Sequence, residues 1–345
     1  MGSIPKKDQF YIQWHITNYC NLRCQHCYQD DFSKDKDLDW SGLKKIFDNV
    51  LATLQEWDKK ACIHLTGGEP LLKPELFSLL NYLDRSPLIE ELGIITNGLF
   101  FDREWVEKLS SFSKLKKIKI SLDGADAETN DSIRQEKTFE KVIQNLSLFK
   151  GKDSFEIILM FTVMKRNLKS LSSFFNLSKE LGVNGFIIER FIPWGRGRER
   201  MKEVLSGEDW KELIKTLSDL FAIDEENALF PYQAFQISFQ GEGPELLGAP
   251  CVVGRDGLCV MPDGNVFPCR RFPIPIGNLL HNSLKQIWEE SEILEKLRIK
   301  ENLKGKCGRC EIKNCRGCRS LAFALTGEYL AEDPHCWYNP SFLPN

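Results

Sequence analysis

Residues 9–27 read Gln9-Phe10-Tyr11-Ile12-Gln13-Trp14-His15-Ile16-Thr17-Asn18-Tyr19-Cys20-Asn21-Leu22-Arg23-Cys24-Gln25-His26-Cys27. The first nine residues have the length and composition of a strand, and three thiols leave its end on a short loop. The strand signal recurs at Ala61 to Thr66, Glu91 to Thr96, Lys117 to Leu122, Phe155 to Val163 and Gly185 to Ile192, with amphipathic stretches between these runs. In the first such stretch Leu43, Ile46, Phe47, Val50, Leu51 and Leu54 fall at three- and four-residue steps, the spacing of one helix face. Six strand–helix units in series predict an α/β fold with a parallel sheet. Right-handed crossovers curl six units into a partial (β/α)6 TIM-like barrel over residues 9–222. A flat, doubly wound sheet is the alternative. In a barrel, chemistry sits at the carboxyl ends of the strands, where the three thiols fall.

A length of 345 residues suits about two domains. With 46 Lys+Arg against 49 Asp+Glu the chain has no polyanion-binding excess, so nucleic acid is not an expected partner. Met1 to Lys7 lack the apolar segment of a secretory signal, and no apolar run approaches the ~18 residues of a membrane helix. A cytoplasmic protein without a membrane partner is expected. Gly241, Gly243, Pro244, Gly248 and Pro250 mark residues 223–250 as a linker. A small cysteine-rich α+β domain is expected over 251–340. In it, Pro262-Asp263-Gly264-Asn265 reads as the turn of a hairpin carrying Cys259 and Cys269. A helical pattern follows from Ser283 to Leu297.

Twelve cysteines are too sparse for a disulfide-stapled domain, and in a reducing compartment they point to metal. Cys62 stands apart, inside an apolar strand, and reads as a small hydrophobe. Cys20, Cys24 and Cys27 have no fourth thiol close by, which suggests an iron–sulfur cluster with one iron left open. Thr66-Gly67-Gly68-Glu69-Pro70, Thr96-Asn97-Gly98 and Ser121-Leu122-Asp123-Gly124 end the next three strands at the same side of the sheet. Glycines there permit close approach of backbone to a ligand, and Glu69 offers a carboxylate to an amine.

These residues resemble the radical S-adenosylmethionine superfamily, in which a CxxxCxxC loop holds a 4Fe-4S cluster and a Gly-Gly-Glu-Pro loop binds the methionine amine. The resemblance implies that Cys20, Cys24 and Cys27 ligate a cluster whose unique iron chelates S-adenosylmethionine. An electron from it cleaves that cofactor, and the resulting 5'-deoxyadenosyl radical takes hydrogen from substrate. By the same likeness Gly67, Gly68, Glu69 and Pro70 contact the methionine part. Asn97, Ser121, Asp123 and Glu189 are further candidates for contact with the cofactor. Asn130-Asp131-Ser132-Ile133-Arg134 is similar to a family His-Asp-x-x-Arg element, so Arg134 is a candidate partner of the cofactor carboxylate; Asn130 stands where the family has His. A low-potential donor of the flavodoxin or ferredoxin type, and anaerobic handling, are implied as well.

The remaining cysteines resemble the SPASM extension of that superfamily, which carries two auxiliary clusters. Carried over, Cys251, Cys259, Cys269 and Cys318 would hold one, and Cys307, Cys310, Cys315 and Cys336 the other. The loop spacing of two, four and two residues departs from the family's longer run, and Cys259 lies on the hairpin strand. A zinc ribbon would separate its CxxC pairs by roughly 15 to 20 residues. Lys304, Lys306, Arg309, Lys313, Arg316 and Arg319 surround the loop cysteines and would stabilise a reduced cluster, or simply face solvent. Relatives with this pattern mature peptides, activate sulfatases or build quinone and tetrapyrrole cofactors. Arg270-Arg271 follows Cys269 where sulfatase activators carry an acidic residue. A peptide or protein side chain is the leading substrate expectation, to be reached without a peptide-binding domain before residue 9. A small cofactor precursor is the second, and a non-catalytic electron carrier the third. Glu189 and Arg190 are expected at the barrel mouth or in a mutual salt bridge, and Trp194 in packing or stacked on substrate.

Overall fold

The computed structural model describes residues 9–223, 229, 232–312 and 315–338. The reading of Met1 to Lys7, part of the 223–250 segment, Lys313 and residues 339–340 of the second domain lie outside these. Among the described residues no helix is long and apolar enough to cross a membrane.

Six parallel strands form the framework: β1 (Gln9–His15), β2 (Lys60–Thr66), β3 (Ile89–Thr96), β4 (Leu115–Ser121), β5 (Glu156–Val163) and β6 (Gly185–Arg190). Each pairs with the next in chain order. The helices between them are α1 (Trp40–Glu56), α2 (Leu76–Asp84), α3 (Arg103–Ser110), α4 (Ala127–Ile133), α5 (Thr138–Leu146) and α6 (Leu171–Glu180). A doubly wound sheet would reverse strand order at a switch point. The order here never reverses, so the winding is that of an open barrel.

Strand periodicity decides what the helices cover. Phe10, Ile12 and Trp14 on β1, with Ile63 and Leu65 on β2, are buried against Leu43, Ile46, Phe47, Val50 and Leu54 of α1. Asp39 caps that helix by accepting from the Gly42 amide at 2.9 Å. Truncating one such leucine or isoleucine to alanine costs about 2–5 kcal/mol.

The expected linker is different in kind. After α7 (Gly207–Phe221), β7 (Tyr232–Ser238) and β8 (Glu245–Pro250) extend the sheet antiparallel beyond β6. Glycine and proline lie in the turn between these strands, at 241, 243 and 244, and near the end of β8, at 248 and 250. Pairing to an exposed strand edge outweighs that composition. The opposite edge is closed by the second domain. β9 (Gly257–Val260) pairs parallel to β1, and β10 (Asn265–Phe267) and β11 (Gly277–Asn278) follow antiparallel, giving the order β11-β10-β9-β1-β2-β3-β4-β5-β6-β7-β8. The helices α8 (Leu284–Glu290), α9 (Glu292–Arg298), α10 (Gly305–Arg309) and α11 (Arg319–Thr326) complete that domain.

Because β9 covers β1, a chain ending at residue 250 would expose the backbone edge of β1, whose Phe10, Ile12 and Trp14 are apolar. Such a truncation is expected to aggregate, and size-exclusion chromatography of it beside the full chain checks this.

Candidate functional site

Two loops meet at the end of the barrel. The Gly68 amide donates to the Thr17 carbonyl and the Glu69 amide to the Tyr19 carbonyl, each at 2.8 Å. The β2 loop therefore lies flat on the thiol-bearing loop. A β-carbon at Gly67 would stand 2.2 Å from the Thr17 oxygen, and one at Gly68 2.3 Å from the Tyr19 oxygen. The first demand on these glycines is thus contact between two loops, whatever ligand they also admit.

Cys20, Cys24 and Cys27 line one cavity together with Gly67, Gly68 and Asn97. Ser121, Arg134 and Glu189 line its other walls. The Leu22 amide donates to the Cys20 sulfur at 3.4 Å, and Arg134 Nη1 stands 3.9 Å from the Cys24 sulfur. Burial pushes the Cys20 thiol up to about 11 and Cys27 to about 12, and raises Cys24 as well. Such thiols stay protonated at neutral pH unless a metal takes the proton's place. Three thiols on one wall, with donors aimed at two of the sulfurs, fit a cluster with three protein ligands.

Other expected ligand groups lie beneath this cavity rather than on its wall. Glu69 is fully buried, and its carboxylate accepts from Thr96 Oγ1 (2.7 Å), the Asn97 amide (2.8 Å) and the Leu71 amide (3.1 Å). Burial pushes its carboxyl up to about 7, against the pull of those donors. Pro70 opens the short turn that follows, also buried. Asp123 is fully buried and braces the thiol loop from below, through Arg134 Nε at 2.8 Å and His26 Nε2 at 3.2 Å. Asn130 receives the Asp123 amide on Oδ1 and donates to Asp131 and Thr138. Asn97 Nδ2 donates to Asn21 within the thiol loop at 2.8 Å. Trp194 packs on Phe323 of the second domain, with the Arg198 guanidinium 3.6 Å above its ring.

Glu189 and Arg190 form no pair with each other. Glu189 binds Arg270, with Arg271 at 3.9 Å; burial would raise its carboxyl, yet these guanidinium groups hold it down to about 2. Arg190 binds Asp333 at 2.7 Å, and Asp333 also accepts from the Cys318 amide and donates its own amide to the Cys307 sulfur. Arg270-Arg271 thus reaches into the barrel, and no local pattern marks Asp333, because its partner lies 143 residues away in the chain.

Behind the thiol cavity lies a larger chamber, lined by Gln13, Glu189, Arg270 and Arg271 in common with it. Most barrels fill this space with apolar side chains. Here Tyr11 meets His64 at 2.9 Å, His64 Nε2 stands 3.6 Å from Glu91, and Glu91 binds Lys117 at 3.0 Å. Gly93 leaves room for the His64 ring, which would stand 2.5 Å from a β-carbon there. The signal for this polar lumen was legible: Gln9, Tyr11, Gln13 and His15 alternate with apolar residues in one strand, as do Lys117, Lys119 and Ser121 in another.

The auxiliary thiols gather in two sets. Cys251, Cys259, Cys269 and Cys318 line the chamber, while Cys307, Cys310, Cys315 and Cys336 line a second, smaller cavity. All are free of disulfides. Arg319 Nη2 reaches the Cys307 sulfur at 3.7 Å, whereas Arg316 serves the Leu297 and Arg298 carbonyls and Lys304 the Glu328 carboxylate. Cys62 is buried in β2, with Gln9 Oε1 3.4 Å from its sulfur.

The profile of the radical SAM superfamily matches residues 14–176, and that of an iron-sulfur cluster-binding domain, SPASM, matches 251–319. The AdoMet-dependent heme synthase of Methanosarcina barkeri is 33% identical over 349 residues, 95% of this chain and 96% of its own. The mycofactocin maturase MftC of Mycobacterium tuberculosis is 27% identical over 342 residues, 94% of this chain and 82% of its own. A solved structure described as native anSMEcpe with bound AdoMet and the Kp18Cys peptide superimposes with a TM-score of 0.72 at 20% identity, covering 95% of this chain and 94% of that one. The fold and the thiol-lined site define an iron–sulfur enzyme that works with S-adenosylmethionine. This chain belongs to the radical SAM superfamily, in the branch that carries a SPASM domain.

Two outcomes follow from the buried carboxylates. Because folding raises the Glu69 carboxyl from 4.5 to about 7, the folded protein binds more protons than the unfolded one across that range. Its contribution to stability therefore falls as pH rises from about 4.5 to about 7. Thermal denaturation of Glu69→Gln across that range should lack this slope. Asp333→Ala leaves Arg190 buried without a counter-charge and should cost about 3–5 kcal/mol in denaturant melts.

Proposed function

We propose that Cys20, Cys24 and Cys27 hold the catalytic cluster and that substrate occupies the chamber beside it. The observation that carries this reading is the shared wall: Gln13, Glu189, Arg270 and Arg271 face both the thiol cavity and the chamber. When bound, the cluster and S-adenosylmethionine supply an electron and a hydrogen-abstracting radical. The chain's own residues do the rest. Gly67 and Gly68 hold the two loops in contact, Asn97 and Ser121 offer polar atoms to the cofactor, and Asp123 steadies Arg134 and His26 beneath it. Cys251, Cys259, Cys269 and Cys318 would place one auxiliary cluster on the chamber, within reach of electrons leaving substrate. Cys307, Cys310, Cys315 and Cys336 would hold the second cluster.

Two substrate classes have support. A peptide side chain is favoured by the maturase MftC and by the polar wall of Gln13, Glu189, Arg270 and Arg271 that the chamber shares with the thiol cavity. A tetrapyrrole is favoured by the heme synthase relative, whose likeness extends over nearly the whole of both chains, and by the Lys119 ammonium lining the chamber, which suits a propionate. We place the chain in the cytoplasm, served by a low-potential electron donor of the flavodoxin or ferredoxin type, acting without nucleic acid or membrane and handled without oxygen.

Anaerobic reconstitution is expected to load about twelve iron atoms, three four-iron clusters, and to yield 5'-deoxyadenosine on reduction. Cys24→Ala should keep roughly eight of them and abolish cleavage. Iron uptake without cleavage in the unmutated protein would leave only an electron carrier. Mass spectrometry after incubation with a propionate-bearing metalloporphyrin, or with a peptide encoded beside the gene, separates the two substrate classes.

A further inference from the structure

Lys119 sits on the inner face of β4, two residues before Ser121. Ser121 lines the thiol cavity and Lys119 lines the chamber, so the two positions are about 7 Å apart along the strand. The charged and titratable groups around the ammonium are Lys117 on its own strand, Glu91 on β3, Glu189 on β6, Arg270 from the second domain and His64 on β2. Both carboxylates are already taken, Glu91 by Lys117 at 3.0 Å and Glu189 by Arg270. Among the described residues Lys119 has no hydrogen bond and no ion pair. Burial pushes the ammonium down to about 8, so it still carries its charge at neutral pH.

An ammonium held inside a barrel with no carboxylate in direct contact is costly unless an anion arrives. The chamber that it faces shares the wall of Gln13, Glu189, Arg190, Arg270 and Arg271 with the thiol cavity. We propose that Lys119 is the seat of a substrate carboxylate, holding it one inward position below the cofactor cavity so that the rest of the substrate extends towards the thiols. The inference rests on the placement of substrate in the chamber. The same chemistry is offered by a tetrapyrrole propionate and by an acidic side chain of a peptide. The other cations of the chamber are engaged within the protein: Lys117, Arg190 and Arg270 each bind a carboxylate, Arg271 donates to the Arg190 carbonyl with Glu189 at 3.9 Å, and Arg319 donates to the Tyr329 and Ala331 carbonyls.

The test uses the reconstituted full-length holoenzyme under argon. Binding of an iron porphyrin with free propionates and of its methyl ester is followed by the Soret band. A labelled peptide with one glutamate and its glutamine counterpart are followed by fluorescence anisotropy. In at least one pair the acid is expected to bind more tightly than the neutral form. Lys119→Met should weaken the acid by about 10- to 100-fold and leave the neutral form unchanged, and Lys119→Arg should restore most of the loss. Iron content should match wild type, and the melting temperature should not fall, since the variant removes a half-buried charge with no direct partner. Equal weakening of acid and neutral form, or a clear drop in melting temperature, would overturn the assignment and leave Lys119 a structural residue. No discrimination of acid from neutral form by the wild-type enzyme would also overturn it. Wild-type binding of neither pair would overturn the chamber as the substrate site, and the seat with it.

Discussion

The hydrogen bonds on the two sides of β1 are what the rest of the site depends on. One side pairs with β2 and carries the Gly-Gly-Glu loop to the end of the strand; the other pairs with β9 and sets Cys259 beside Gln13. A single strand therefore places the cysteine loop, the cofactor loop and the first auxiliary thiol set in one register. Side-chain direction alternates along a strand, so a slip of one residue on either side would turn Cys259 and His64 out of the lumen. Register on this strand matters more than any one contact made around it.

Electrostatics is the second constraint. The barrel interior holds charges that water would otherwise solvate, and nearly all of them are matched. Glu189 bridges the barrel to Arg270 and Arg271, and Arg190 bridges it to Asp333, which in turn touches the backbone at Cys318 and the sulfur of Cys307. Both pairs cross between the domains, so the same contacts that dock the SPASM domain also shape the wall between cofactor and substrate. Breaking a buried pair leaves an uncompensated charge at large cost, which ties docking to the geometry of the site. A protein built this way gains specificity of domain orientation, and its chamber is lined by charge as a consequence.

Several expectations from the motifs take a different physical form in the folded chain. Glu69 and Asp123 are acidic residues in cofactor loops, yet both carboxylates point under the cavity floor, one gripping the end of β3 and the other gripping Arg134 and His26. The glycines before Glu69 serve loop-on-loop contact. A stretch whose glycines and prolines read as a linker instead supplies two strands, because the open edge of β6 satisfies their backbone groups better than water-exposed coil would. Local composition reports what a segment prefers alone, and edge pairing is not local.

The order of strands and helices, the three-thiol loop and the family it belongs to were all determined by the sequence, because each is written in residues close together in the chain. So was the polar alternation of β1 and β4. The division of eight auxiliary cysteines around two cavities, the partners of Glu189 and Arg190, and the unmatched charge of Lys119 were decided only by tertiary structure. Each of those depends on groups brought together from distant strands across a chamber, where burial strengthens every charge interaction, and sequence spacing carries no measure of that distance.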